Sequence, residues 1–189
     1  MGRPVLRSER IDLLPMTIDH LPFLVELDSD AEVLRYILGR ARTTAEVHDF
    51  WTPICTDPAD LGWWVGRSRD DGELLGWWFL SPEHPPSRPS VRAEAGWRLA
   101  RRHWGRGLAT EGATTVLDHG FLGAGLSTVF AETMAVNLAS RAVMAKLGMR
   151  HVRTEHRDAI ASLPGAERGE VVYEVSREAW IRSRTAPDL

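Results

Sequence analysis

Apolar and polar residues alternate over short stretches of this chain and give way in between to helical periods. Residues 10–14 alternate as a short strand, and Thr17 then stands as a cap before Leu21, Leu24 and Val25, which share one helix face. Thr43 or Thr44, with Glu46 following, opens a second helix. Residues 62–69 and 73–80 form two strand patterns around Asp70-Asp71-Gly72, a hairpin signal, and carry the pairs Trp63-Trp64 and Trp77-Trp78. Beyond a proline-rich loop at 82–89, residues 91–99 alternate as a strand. Ala109, Ala113, Val116, Leu117, Phe121 and Ala124 then make a helical stripe that Gly123 and Gly125 end. Residues 127–134 read as a strand, Asn137 caps a short helix closing at Gly148, and 150–155 and 170–175 are two further strands. The tail from Arg177 is a short helix or frays. This order predicts an α/β fold with a mixed sheet.

The 189 residues, 43% hydrophobic and 26% charged, match one globular domain spanning 1–189, large enough to hold a core without a metal or disulfide. With 23 basic and 26 acidic residues the net charge is −3, so the whole-molecule field of a general nucleic-acid binder is missing and no direct nucleic-acid partner is expected. Cys55 is the single cysteine, which suits a reducing cytoplasm. Asp12, Asp19, Glu26 and Asp28 interrupt the first thirty residues, so no signal-peptide core is expected, and no apolar run approaches a membrane span. The histidines lack metal-ligand spacing, and no metal is predicted. The Trp pairs read as core or as pocket lining. Together with the acidic Glu26, Asp28, Asp30 and Glu32, they are candidates to shape a site for a cationic acceptor.

Candidate chemistry concentrates where the strand at 93–99 runs through Arg102-His103-Trp104-Gly105-Arg106-Gly107-Leu108 into a helix. Main-chain N–H groups at a helix start lack internal partners, and two glycines let a bulky anion approach them. Arg98, Arg101, Arg102 and Arg106 add four cations to that stretch. A pyrophosphate fits such a loop. The dinucleotide fingerprint fails because Leu108-Ala109-Thr110 follows Gly107 without a third glycine, and the P-loop fails because Ala113-Thr114 stands where Lys and Ser or Thr belong. An RNA-phosphate grip by the arginines is the competing anion reading.

Arg102 to Gly107 resembles the pyrophosphate loop of the GNAT superfamily of N-acetyltransferases, which runs Gln or Arg, two residues, Gly, one residue, Gly or Ala. The strings Ala93-Glu94-Ala95-Gly96-Trp97 and Trp104-Gly105-Arg106-Gly107-Leu108-Ala109-Thr110-Glu111 are similar to its branch of ribosomal-protein N-terminal acetyltransferases. Asn137-Leu138-Ala139-Ser140 and Lys146-Leu147-Gly148 are similar to its Asn-x-x-Ser helix and Lys-x-Gly ending, and Tyr173 to Trp180 also resembles that branch. The resemblance implies a mixed, mostly antiparallel sheet with helices on both faces, whose fourth and fifth strands part around acetyl-CoA while an amine acceptor, a protein N-terminus or a small molecule, enters from the other side. A homodimer is also implied.

Carried over residue by residue, the backbone of Trp97, Arg98 and Leu99 runs beside the pantetheine. The amides of His103, Trp104, Gly105, Arg106, Gly107, Leu108 and Ala109, with Arg102, hold the pyrophosphate, and Asn137 and Ser140 face the thiol end. Glu94 is the candidate base for direct transfer in a ternary complex, or else a partner of Arg92 or Arg98. A backbone N–H near Leu99 is the candidate oxyanion donor. Many relatives place a tyrosine acid where this chain has Met144, which leaves Ser140 to supply a hydrogen bond to the leaving thiolate, or merely to touch the cofactor. The alternative function is a non-catalytic acyl-CoA-binding regulatory module.

Overall fold

The computed structural model describes residues 3–57, 61–83 and 91–185, so most of the expected proline-rich loop lies outside the described residues. The chain opens with β1 (Leu6–Arg7), which no alternation announces because it is two residues long, and turns back into β2 (Ile11–Pro15). Thr17 caps a single 3-10 turn, Ile18–His20, before helix α1 (Leu21–Asp28) begins with Pro22 in its first turn. Thr43, rather than Thr44, caps α2 (Thr44–Thr56): its hydroxyl accepts from the Glu46 N–H, and the Glu46 carboxylate accepts from the Thr43 N–H. The hairpin strands are β3 (Trp63–Ser68) and β4 (Leu74–Pro82), followed by β5 (Arg92–Leu99) and α3 (Leu108–Asp118). A π turn, His119–Gly123, extends α3, burying Phe121 and leaving Ala124 exposed although the apolar stripe placed it inside. The remaining elements are β6 (Thr128–Met134), α4 (Leu138–Lys146), β7 (Arg150–Glu155), β8 (Glu170–Ser176) and α5 (Arg177–Thr185).

The strands join one sheet in the order β1-β2-β3-β4-β5-β6-β8-β7. Every pairing is antiparallel except β5 with β6, which run parallel across the crossover through α3. That parallel register covers only Arg92–Thr128, Ala93–Val129 and Glu94–Phe130; beyond it the two strands part. They are the fifth and sixth in the chain rather than the fourth and fifth, because β1 adds a strand ahead of those expected.

Neighbouring residues of a strand face opposite ways, and the tryptophan pairs divide accordingly. Trp64 and Trp78 lie in the core under α3, α4 and α5, with Leu13, Leu80, Leu117, Val129, Met144 and Trp180. Trp77, with Trp63 against it, lies on the opposite face with Leu24, Leu27, Val47 and Trp51 of α1 and α2. Helices therefore cover both faces. Three of the four paired tryptophans are core residues, and Trp63 alone keeps partial exposure, stacked on Phe79 at 4.3 Å.

Candidate active site

Main-chain pairing along β5 determines what the parted strands expose. The Glu83 N–H donates to the Arg92 carbonyl and the Ala100 N–H to Leu75, so the even-numbered residues of β5 bond to β4. By alternation, Ala95, Trp97 and Leu99 turn their N–H and C=O groups toward the gap. Across it, the Ala135 N–H donates to the Gly169 carbonyl, which turns the backbone groups of Glu132 and Met134 inward from β6. The Leu99 carbonyl is taken by the Trp104 indole N–H at 2.8 Å. The two walls offer the main-chain edge that an extended, amide-bearing ligand can pair with as an added strand.

At the end of β5 a 3-10 turn, Arg101–His103, leads to Gly105 and Gly107, with φ of 71° and 79°, and α3 starts at Leu108. Both angles are in the left-handed region that glycine adopts without strain. Among the described residues, the first α3-region amide with a partner is that of Glu111, donating to the Gly107 carbonyl; the N–H groups of Gly105 through Thr110 donate to no other described residue. The turn and helix N-terminus thus present a row of free donors, reinforced by the helix dipole. Helix α3 is held in place by the Trp78 indole, which donates to the Ala109 carbonyl at 3.1 Å and lies where a Cβ on Gly112 would fall within 2.4 Å of the ring. Glu111 fixes the first turn from the other side through Ser8 and Arg10.

The arginines of this loop are distributed differently from the expectation of four cations around one anion. Arg98 crosses to the opposite face, ion-paired with Asp28 at 2.6 Å and lying over Trp77. Arg101 pairs with Asp30, and Arg102 with both Glu73 and Glu26. Arg106, unlike the other three, has no carboxylate partner among the described residues; its guanidinium lies 3.3 Å from His103 Nδ1. Burial lowers the His103 pKa, so its ring is neutral near pH 7 and Nδ1 accepts that hydrogen bond. The acidic stretch read as a site for a cationic acceptor is therefore largely neutralised by the arginine stretch read as an anion site. Glu26, Asp28 and Asp30 each hold one of those arginines, and Glu32 lies 3.6 Å from Arg35.

Glu94 faces the side of the sheet opposite the glycine loop's helix, opposite Ser81 on β4 and Phe130 on β6. It makes no ion pair or hydrogen bond with another described residue. Pairing with Arg92 or Arg98 does not occur, because Arg92 holds Glu83 and Glu174 and Arg98 holds Asp28. Burial first, then repulsion from Glu132 and Glu170, pushes the Glu94 carboxyl up to about 7 against the opposing pull of Arg157. A half-protonated carboxylate beside a gap is suited to accept a proton at neutral pH.

On α4 the Asn137 amide is occupied twice within the protein, accepting from the Ser140 N–H and donating to the Thr133 hydroxyl. It caps the helix that carries Ser140 in its first turn. The Ser140 hydroxyl has no partner among the described residues, while Met144, one turn on, is buried in the core. Arg141, which no motif marked, ties α4 to the Ala135 carbonyl and the Tyr173 hydroxyl. Glu132, Glu170 and Arg157 also went unmarked, since only the fold brings them near Glu94. Cys55 is buried with its thiol pKa pushed up by burial. Among the described residues, no group of three or more His, Cys, Asp or Glu is placed to hold a metal, and no helix is long and apolar enough to cross a membrane.

Residues 10–150 match the family model for the acetyltransferase (GNAT) domain. The FsC-acetyl coenzyme A-N(2)-transacetylase of Aspergillus fumigatus is 39% identical over 189 residues, covering 96% of this chain and 80% of the relative. Among solved structures, a GNAT-family acetyltransferase from Bacillus anthracis superposes with a TM-score of 0.78 at 20% identity, covering 93% of this chain and 99% of that one. The spermidine N-acetyltransferase of Vibrio cholerae, solved with CoA and spermine, superposes with a TM-score of 0.75 at 15% identity, covering 92% and 99%.

Proposed function

Because the chain belongs to the GNAT family and is an acetyl-CoA-dependent N-acetyltransferase, we propose that it passes the acetyl group directly to a primary amine held with acetyl-CoA in one ternary complex, with Glu94 as base. One observation carries this reading: where β5 and β6 part, the glycine loop lies at one end of an open main-chain edge and the unpaired Glu94 lies beside it on the opposite face.

The residues present fit acetyl-CoA. The free amides from Gly105 to Ala109, with Arg106, hold the pyrophosphate; the amides of His103 and Trp104, expected to join them, already donate to the Ala100 and Arg101 carbonyls, and Arg102 braces the loop against Glu26 and Glu73. The backbone of Trp97, Arg98 and Leu99 lies along the pantetheine. A protonated amine has no lone pair, so Glu94, acting through water, removes its proton first. The nitrogen then bonds to the thioester carbonyl carbon, the carbon–sulfur bond breaks, and the second proton shed by the nitrogen passes to the departing sulfur, giving the amide and the CoA thiol. A gap-facing N–H near Leu99 stabilises the developing oxyanion, and Ser140 donates a hydrogen bond to the leaving thiolate in place of the absent tyrosine.

The acceptor reading favoured is a small-molecule amine, supported by the 39% identical relative, whose name specifies an N(2)-transacetylase. The branch-like strings around Glu94 and Trp104 favour a protein N-terminus as the second reading. We infer one domain over residues 1–189, working in the cytoplasm, where a single unpaired cysteine is at home.

The test is thermal unfolding with acetyl-CoA, CoA, NAD and ATP at matched concentrations. Ligand at about 100 times its Kd adds roughly 2.7 kcal/mol, which raises Tm by roughly 5 to 11 °C for a chain of this size. A shift with the two CoA species alone is expected, and no shift with either overturns the reading. Thiol release from acetyl-CoA across a panel of primary amines then separates an enzyme from a binding module, which would bind yet release nothing.

A further inference from the structure

Arg157 follows β7 and meets carboxylates on the face of the sheet that carries Glu94. Its guanidinium lies 2.7 Å from Glu132, 2.6 Å from Glu155 and 3.4 Å from Glu170. Glu132 and Glu170 are largely buried, with side chains 17% and 15% exposed. Both share the face of Glu94: Phe130, the parallel neighbour of Glu94, is two residues from Glu132 on β6, and Met134, two further on, pairs with Glu170 of β8.

The other charges around Glu94 are committed elsewhere. On its own strand Arg92 binds Glu83 and Glu174, and Arg98 binds Asp28. From β7, Arg153 pairs with Glu155 and Glu174. From β4 the facing residue is the uncharged Ser81. Glu132 from β6 and Glu170 from β8 repel an ionised Glu94, and Arg157 is the cation that opposes them.

We propose that Arg157 is a positioning residue for acetyl transfer: clamped among Glu132, Glu155 and Glu170, it offsets the negative field that Glu132 and Glu170 place on Glu94 and thereby governs when that carboxyl is free to take a proton. The inference rests on Glu94 as the base. Without Arg157 the acids face Glu94 unopposed and hold its proton on; without Glu132 the repulsion falls and the proton is released more readily.

The opposed signs supply the test. In full-length protein carrying 13C at glutamate Cδ, the Glu94 resonance is identified by its loss in Glu94→Gln and followed against pH. Arg157→Gln should raise its midpoint by about one pH unit and Glu132→Gln should lower it by a similar amount, while Arg157→Lys stays near the parent value. A residue that merely supports the fold would change Tm without moving the midpoints in opposite directions. Midpoints that stay put, or move the same way, overturn the proposal. Should Arg157→Gln not fold, Glu132→Gln decides by itself, because a midpoint that fails to fall has the same force. Thiol release by Glu94→Gln with the amine panel is read separately: turnover that survives there ends the assignment of Glu94 as base, whatever the titration shows.

Discussion

Glu94 couples pH to stability. In the unfolded chain its carboxyl titrates near 4.5, and in the fold near 7. Below the lower value both states carry the proton and the group is neutral in its effect. Between the two values the unfolded chain releases the proton and the folded protein keeps it, so stability falls as pH rises through this window and the loss is complete above about 7. Glu94→Gln should therefore leave Tm near the parent value at pH 4 and raise it at pH 8, by at most about 3 kcal/mol in unfolding free energy, as urea titrations at the two pH values would show. The position of Glu94 on a strand beside the glycine loop was legible in the sequence. Its isolation was not, because Arg92 and Arg98, two and four residues away, invite a pairing that Glu174, Glu83 and Asp28 pre-empt from distant parts of the chain.

At the level of the element, the turn into α3 makes a conformational demand, and substitution can separate it from the binding demand proposed for the same turn. Gly107→Ala forces a side chain into the left-handed region, costing about 1–2 kcal/mol, with Arg10 the nearest neighbour of the new Cβ at 3.6 Å. Gly72, at φ of 78° in the β3–β4 turn, has nothing near its Cβ position, so alanine there carries the same strain away from the proposed anion site. Both alanine variants should lose similar stability, but only Gly107→Ala should weaken CoA binding, by roughly tenfold or more in calorimetric titration, if one amide contact worth about 1.5 kcal/mol is misdirected. This element was the most legible part of the sequence, since glycines at a strand-to-helix turn state their own backbone requirement. The partners of its arginines were hidden because an ion pair between residues seventy apart, such as Arg98 and Asp28, leaves no periodic trace.

Across the whole molecule, Asp28 joins the helical layer to the sheet. Fully buried at the end of α1, it accepts from Arg98 of β5 at 2.6 Å, from Arg42 at 2.7 Å and from the Trp51 indole of α2 at 2.9 Å. Asp28→Ala would leave two guanidinium groups without their counter-charge in the interior, and a loss of about 3–5 kcal/mol in unfolding free energy is expected. The alternation of elements and the mixed sheet could be read from the order of strand-like and helical segments, although β1 is too short to show a rhythm and β7 is exposed along most of its length. Where the strands part could be expected only from resemblance, since nothing in the alternation of β5 or β6 records that their pairing stops after Glu94 and Phe130. Five strands on one side and three on the other meet along a seam of three register pairs. In mechanical terms the sheet is two plates sharing a short weld, and acetyl-CoA laid along the open edge would complete the joint. The enzyme would then be stiffest while loaded and most pliant once CoA departs, so that turnover and the loosening of its own framework are one event.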